Sequence, residues 1–289
     1  MDLDDPPEDA AGGRERRRVR TGRNLPVAIG VGLVLGGAVF LTLYTVKATF
    51  LVYMAVAVGI AGWELNRALA VRGIRIALPP LVCGCAAIWT SAYWLGTRAA
   101  LAAVALTTIA VIAWRLPGGS AGYLRDMTAS VFVLVYLPLM TVFAVLILAS
   151  HDGADRVLVF VAVTICSDVG GYFAGILFGR HPLVPAISPK KTWEGLAGSL
   201  VACVVAGGVL VPVLLRGQVW QGVVLGVGAV AAATLGDLVE SMIKRDLEIK
   251  DMGSLLPGHG GLLDRLDSLL INAPVAWLLL AIFVPAGAR

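Results

Sequence analysis

A dense group of charged side chains lies between Ser241 and Asp267 in this sequence, where two strongly apolar segments flank it. In so apolar a chain, clustered charges belong at a membrane boundary or in a cavity, because a charge placed in hydrocarbon costs about 3 kcal/mol. This stretch is therefore the first candidate for chemistry. It contains Lys244, Arg245, Lys250, Asp251, His259, Gly260, Gly261, Asp264, Arg265 and Asp267.

Asp264 and Asp267 give the stretch the pattern of a metal site. They are three residues apart and follow the Gly260–Gly261 turn, so on a helix both carboxylates point the same way. Mg²⁺ takes one or two carboxylates and completes its shell with water and phosphate oxygens. Helix capping explains one aspartate, but it leaves the glycine turn and Arg265 unexplained. We therefore predict a Mg²⁺ site here and treat His259 as a phosphate contact.

Two further spans carry polar side chains that apolar packing does not require. Asp237, either Glu240 or Ser241, and Lys244 share one face if their helix continues, because they are spaced by three or four residues. Asp168 lies in the middle of an apolar run beside glycines, where a carboxylate is a functional candidate. The alternatives are a helix end with a self-satisfied ion pair and an aspartate that fixes helix packing.

A polar loop also precedes the seventh predicted span. It runs from Ser188 to Gly195 and presents Lys190 and Lys191 ahead of a helix start, which Ser188 or Thr192 could cap. Free backbone N–H groups and two ammonium groups suit a phosphate. The lysines alone would equally serve as a signal of membrane topology, and the loop itself leaves both interpretations open.

Membrane-spanning helices must position these residues. The chain is 58% hydrophobic and 15% charged, with a mean hydropathy of +0.85, outside the range of ordinary globular domains. A helix crosses the hydrocarbon core with about 20 apolar residues, and no alternation of period two supports barrel strands. We predict an all-α integral membrane protein with about nine transmembrane helices, near residues 26–46, 48–66, 77–96, 99–114, 127–149, 157–179, 195–215, 218–240 and 266–286.

The basic residues give an independent check on this topology. With a cytoplasmic amino terminus, all but five of the 23 Lys and Arg residues fall on the cytoplasmic side, as the positive-inside rule requires. The five others are Lys47, Arg98, Arg156, Arg216 and Arg289. We predict a cell-membrane protein whose site faces the cytoplasm. The net charge of +4 reflects topology and anionic lipid headgroups, so no nucleic-acid partner is expected.

The chain divides into three predicted parts. Residues 1–23 form a disordered basic cytoplasmic tail, residues 24–150 the amino-terminal transmembrane helices, and residues 151–289 the carboxy-terminal catalytic part, where the carboxylates, lysines and span glycines concentrate. Neither a Walker loop, a dinucleotide fingerprint nor a nucleophile elbow is found in the sequence. ATPase and acyl-enzyme chemistry therefore lose support.

The polar stretch resembles the signature of phosphatidate cytidylyltransferases, also called CDP-diacylglycerol synthases, without a departure across its 27 positions. The residues that carry the resemblance are Ser241, Ile243, Lys244, Arg245, Lys250, Asp251, Gly253, Leu256, Pro257, His259, Gly260, Gly261, Leu262, Asp264, Arg265, Leu266 and Asp267. The loop from Ser188 to Gly195 also resembles a family segment. The segment around Asp168 does so more loosely, because Val169 and Gly171 replace an expected hydroxyl residue and an alanine. The resemblance covers residues 157–286.

The resemblance implies transfer of a cytidylyl group from CTP to phosphatidate, giving CDP-diacylglycerol and pyrophosphate with Mg²⁺ required. In keeping with the family, Asp237, Asp264 and Asp267 would hold metal, Asp168 would be a less certain ligand, and Lys244 would join them in catalysis. Substrate phosphates would contact Ser188, Lys190, Lys191, Ser241, Arg245, Lys250, His259, Gly260, Gly261 and Arg265. The resemblance and the glycine-rich spans both make a homodimer reasonable.

Two rival functions remain at this point. A secondary transporter would use Asp168 and Asp237 as an ion pathway, although the first half lacks the matching broken helices that such a fold uses. A related enzyme would transfer a cytidylyl group to an isoprenoid lipid, and the headgroup motif alone leaves that open.

Overall fold

The computed structural model describes residues 25–253 and 260–284, and helices dominate these residues. Apolar runs form helices because a helix satisfies its backbone N–H and C=O groups internally, as hydrocarbon requires. The helices are α1 (Leu25–Thr45), α2 (Lys47–Val71), α3 (Leu78–Leu95), α4 (Thr97–Trp114), α5 (Tyr123–Ala149), α6 (Gly153–Phe178), α7 (Trp193–Leu215), α8 (Val219–Asp246) and α9 (Leu263–Phe283).

The predicted all-α membrane architecture is confirmed. Within the described residues, eight helices are long and apolar enough to cross a membrane, and α1 contributes a shorter apolar part, Val34–Thr45. The count agrees with the predicted number of about nine. Several helix ends lie elsewhere than predicted; for example, α2 continues beyond residue 66 to Val71, α8 continues beyond residue 240 to Asp246, and α9 begins at Leu263. The predicted tail, residues 1–23, lies outside the described residues.

Two helices widen locally into π turns. The last turn of α3 is one, at Ser91–Leu95, and Gly96 with φ of 84° then leads the chain into α4. In α5 the π turn Val135–Leu139 contains Pro138, which has no backbone N–H to donate. The wider turn accommodates the proline, so Tyr123–Ala149 still forms one candidate span.

The segment before α7 corrects a prediction. It is not a loop but a short antiparallel β-hairpin, with β1 at Pro182–Val184 and β2 at Ser188–Thr192. Pro189 favours extended backbone in the residue before it, which suits a strand. Thr192 ends β2 and caps α7, because its Oγ1 accepts a hydrogen bond from Gly195 N at 3.1 Å. The hairpin therefore delivers the two predicted lysines to the start of α7.

Glycines allow α6, α7 and α8 to pack backbone against backbone. A Cβ built on Gly198 of α7 would lie 2.7 Å from the carbonyl oxygen of Gly170 in α6. A Cβ on Gly207 would lie 2.2 Å from the carbonyl oxygen of Gly222 in α8. Small residues commonly permit such close approach between membrane helices. These contacts fix the spacing of the three helices that surround the predicted site.

Polar contacts show which helix ends share a side of the molecule. Arg72, just after α2, donates to the carbonyl oxygen of Asp246 at the end of α8, with 3.1 Å between the atoms. On the opposite side, Arg156 of α6 donates to the carbonyl oxygen of Val284 at 2.6 Å. Each contact thus joins two segments that were predicted to lie on the same side of the membrane. The proposed division of the chain at residue 150 stays a prediction.

Candidate active site

A cavity of about 330 Å³ lies among α6, α7, α8, the hairpin and the start of α9. Charges of both signs line it, although apolar helices surround it. Among the described residues, its charged lining side chains are Asp168, Lys190, Lys191, Asp237, Asp264, Arg265 and Asp267. The sequence singled out every one of these residues. The fold brings them together from segments about a hundred residues apart.

Three carboxylates from three helices converge on Ser268 of α9. Ser268 Oγ lies 2.9 Å from Asp237 Oδ1 and 3.3 Å from Asp168 Oδ1. The backbone N–H of Ser268 donates to Asp267 Oδ1 at 2.8 Å. Carboxylates gathered in this way repel one another unless a proton or a positive charge lies between them. The site therefore favours the binding of positive charge.

Basic side chains form the neighbouring part of the cavity wall. Lys191 Nζ reaches in from β2 and donates to Asp237 Oδ2. Lys190, on the same strand, is exposed and also lines the cavity. Arg265 lines it from the first turn of α9. Charge-assisted hydrogen bonds from such groups are the ones that hold phosphates strongly.

A second ion-pair centre ties the loop before α9 to α8. Lys244 Nζ lies 2.7 Å from Glu240 Oε2 and 3.0 Å from Asp264 Oδ1. Asp264 Oδ2 accepts hydrogen bonds from Gly261 N at 2.8 Å and Met252 N at 3.2 Å. Both oxygens of Asp264 are therefore engaged by the protein. This aspartate closes the glycine turn against the end of α8.

Six residues that were predicted to contact substrate are not among the residues that line the cavity. They are Ser188, Ser241, Arg245, Lys250, Gly260 and Gly261. Arg245 instead donates to the carbonyl oxygen of Ala186 at 2.5 Å and fastens α8 to the hairpin. Gly260 has φ of 83°, a conformation that favours glycine, so it shapes the turn. His259 lies outside the described residues.

The sequence analysis missed two residues that organise this site. Ser268 bridges the carboxylates, but a serine inside an apolar helix carries little signal. Glu64 of α2 is buried, and it accepts hydrogen bonds from the N–H groups of Leu262 and Leu263 at the start of α9. Its signal was available, because Glu64 is a carboxylate within an apolar run, the same criterion that found Asp168.

The donor set bears on the predicted metal. Within residues 25–253 and 260–284, no three Asp, Glu, His or Cys side chains are grouped closely enough to hold a metal ion on their own. Carboxylate oxygens are nevertheless the ligands that Mg²⁺ prefers, and it usually retains several waters and substrate oxygens. One or two of the cavity carboxylates would therefore suit a Mg²⁺ ion that shares its shell with water and substrate.

The fold and the charged cavity define a polytopic membrane enzyme with a site for anionic substrates. Comparison with known proteins agrees with this class. Residues 26–283 match the Cytidylyltransferase family. The match covers most of the chain, and the protein belongs to this family.

Individual relatives are similar over nearly the whole length. A phosphatidate cytidylyltransferase of Mycobacterium leprae (strain TN) is 45% identical over 283 residues, which cover 91% of this chain and 89% of the relative. A phosphatidate cytidylyltransferase of Mycobacterium tuberculosis (strain ATCC 25618 / H37Rv) is 42% identical over 278 residues, covering 91% and 84%. A shorter match, 42% over 113 residues, covers 37% of this chain and 39% of the phosphatidate cytidylyltransferase of Haemophilus influenzae.

Proposed function

We propose that this protein transfers a cytidylyl group from CTP to phosphatidate, forming CDP-diacylglycerol and pyrophosphate for phospholipid synthesis. The observation that carries the proposal is the cavity, in which three carboxylates from separate helices face Lys190, Lys191 and Arg265. Membership of the Cytidylyltransferase family and the names of the nearly full-length relatives support the same reaction.

The reaction suits a site without a protein base. A phosphate oxygen of phosphatidate, already anionic at neutral pH, attacks the α-phosphorus of CTP and forms the new P–O bond. The bond from the α-phosphorus to the oxygen bridging it to the β-phosphorus breaks, and pyrophosphate leaves with that electron pair. Catalysis then depends on holding two anions in line and neutralising their charge. Lys190, Lys191 and Arg265 are the cavity residues that would bind these phosphates.

We propose Mg²⁺ as the cofactor, held by Asp237 and Asp267 with Asp168 as a further ligand. When bound, it would neutralise phosphate charge that the lysines leave uncompensated. Lys191 bonds to Asp237 and would exchange this contact for a substrate phosphate when a cation replaces it. Asp264, which we predicted as a ligand, has both oxygens engaged by the protein, so we assign it to holding the turn that carries Arg265.

We further propose that the site faces the cytoplasm from the cell membrane, where CTP is available. The supporting observation is the bias of basic residues, which favours the helix ends around the cavity. A cysteine introduced at exposed Lys250 should react with an impermeant thiol reagent only after the cells are opened. Labelling of this cysteine in intact cells would show that the site faces the opposite side of the membrane. A homodimer stays a prediction, and light scattering of the detergent-purified protein measures it.

The direct test is the purified protein with labelled CTP and phosphatidate in mixed micelles. We expect CDP-diacylglycerol and pyrophosphate in equal amounts with Mg²⁺, and neither product with excess EDTA. Asp264→Ala should abolish turnover, because Lys244 and two backbone N–H groups lose their acceptor. Asp246→Asn is the matched control, since this exposed aspartate stands at an unspecified position of the signature.

Three outcomes would contradict the proposal. Full turnover by Asp264→Ala would show that this site does not take part in the reaction. Absence of pyrophosphate from correctly folded wild-type protein would favour the transporter. Turnover with an isoprenyl phosphate but not with phosphatidate would favour the related enzyme.

A further inference from the structure

The first half of the chain reaches the candidate site through one carboxylate. Glu64 of α2 is 1% exposed, and each of its oxygens accepts one backbone hydrogen bond. Leu262 N donates to Oε1 at 3.1 Å and Leu263 N donates to Oε2 at 2.9 Å. These N–H groups begin α9, where a helix leaves donors without internal partners and where its dipole favours negative charge. The residue before α9, Leu262, has no polar side chain with which to cap the helix.

The loop backbone leaves room for this carboxylate only because two of its residues are glycines. A Cβ built on Gly253 would lie 2.2 Å from Glu64 Oε1, and one on Gly261 would lie 2.7 Å from Oε2. Both distances are shorter than real Cβ atoms show. Gly253 precedes and Gly261 follows residues 254–259 in sequence, so the Glu64 carboxylate contacts the backbone on both sides of this segment as well as the start of α9.

We propose that Glu64 is a positioning residue for cytidylyl transfer, which fixes the start of α9 and thereby the cavity residues Arg265 and Asp267. This inference rests on the proposed function. Arg265 and Asp267 follow Leu263 by two and four residues on the same helix. A shift of the first turn of α9 therefore moves both side chains relative to Asp168 and Asp237, which other helices carry. Misplacement by about 1 Å costs about 100-fold in rate.

The glutamine variant separates geometry from packing. In Glu64→Gln the side chain keeps its shape, but its NH₂ group faces one of the two backbone N–H donors and cannot accept from it. One of the two backbone hydrogen bonds to residue 64 is lost, and the NH₂ group and the backbone N–H group repel each other because both are donors. The start of α9 must shift to relieve this, whereas the surrounding apolar contacts stay.

The experiment compares Glu64→Gln with wild-type protein in the CTP and phosphatidate assay. We expect kcat to fall at least about tenfold and the KM for CTP to rise, with the size-exclusion profile of the wild type. An unfolded fraction lowers the apparent kcat but leaves the KM unchanged, so the KM distinguishes positioning from general damage. Glu248→Gln is the matched control, because this exposed glutamate pairs only at the surface with Arg72.

A second variant keeps the test decisive if Glu64→Gln does not fold. Gly253→Ala retains Glu64 but displaces its carboxylate, so it should produce the same changes in kcat and KM. On the Glu64→Ala background the added methyl group meets no carboxylate. Gly253→Ala should then lower kcat by less than about threefold, because the effects of substitutions at residues in contact are not additive.

The outcomes are separable. Wild-type kinetics for Glu64→Gln, or for Gly253→Ala if the first variant does not fold, overturn this inference alone. A fall in kcat that only follows the folded fraction, with unchanged KM for CTP, also overturns it. Absence of turnover in the wild type and in Glu248→Gln overturns the proposed function and this inference with it.

Discussion

The spacing between α6 and α7 should control activity, although the contact that sets it involves Gly198, which does not itself line the cavity. In Gly198→Ala, the new Cβ would lie 2.2 Å from Ala174 Cβ, whereas ordinary contact begins near 3.4–4 Å. The helices must therefore separate locally by about 1.4 Å, or the carbonyl oxygen of Gly170 at 2.7 Å must give way. Asp168 stands two residues before Gly170 on α6, so the separation moves a carboxylate of the site.

The expected magnitude follows from this displacement. A shift of about 1 Å costs about 100-fold in rate, equivalent to about 2.7 kcal/mol of transition-state stabilisation. Overpacking also costs about 1–3 kcal/mol of stability. Gly208→Ala is the matched control on the same helix, because its Cβ would meet Val219 Cγ1 at an ordinary 3.6 Å.

The assay measures kcat/KM for CTP in micelles beside the thermal midpoint of the detergent-purified protein. Gly198→Ala should lose about 100-fold in kcat/KM. Gly208→Ala should stay within about twofold of the wild type and gain slightly in stability from its higher helix propensity. Equal kinetics for the two variants would refute the argument that backbone contact between α6 and α7 sets the site geometry.

Two further predictions concern buried charge. Lys244→Met leaves the buried carboxylates of Glu240 and Asp264 without their shared ammonium group. This substitution should lower the free energy of unfolding by about 3 kcal/mol and the thermal midpoint by more than about 5 °C. An unchanged midpoint would contradict the ion-pair assignment. Burial works against ionisation of Asp152, but the hydrogen bond and charge of Arg156 outweigh it and hold the pKa of Asp152 below its ordinary 3.8. The ionised Asp152 carboxylate therefore stabilises the folded protein fully above pH 3.8, and this contribution is lost as the pH falls through the lower pKa of the folded state. The thermal midpoint of the wild type should therefore decline below about pH 4, and Asp152→Asn should decline less over that range.

The residues of the site were easier to predict than their arrangement. Asp168 stands out because a carboxylate in an apolar run needs a reason, whereas Asp237 and Asp267 stand out through their spacing from other polar residues at the ends of spans. Neither argument depends on tertiary structure. The partners of Arg245 and Asp264 could not be predicted in this way. They depend on where the hairpin and the loop before α9 meet α8, which hydropathy does not report.

The hairpin and Glu64 escaped prediction for different physical reasons. The strands of the hairpin are three and five residues long, so their period is too short to read against a proline, two lysines and a helix cap. Glu64 was passed over because the first half was treated as apolar scaffold, although the intramembrane-charge criterion applied to it equally. Applying that criterion to every span would have found Glu64 as a candidate, although not its partners at the start of α9.

The long separations within the site bear on when the enzyme becomes competent during synthesis. The contact between Asp168 and Ser268 closes over 100 residues of chain, and the one between Glu64 and Leu262 over 198. A nascent chain that has inserted α1 to α8 still lacks Arg265, Asp267 and Ser268. The ribosome must therefore release the last membrane helix before the carboxylates can meet, and the order of translation itself keeps unfinished chains from acting on nucleotide.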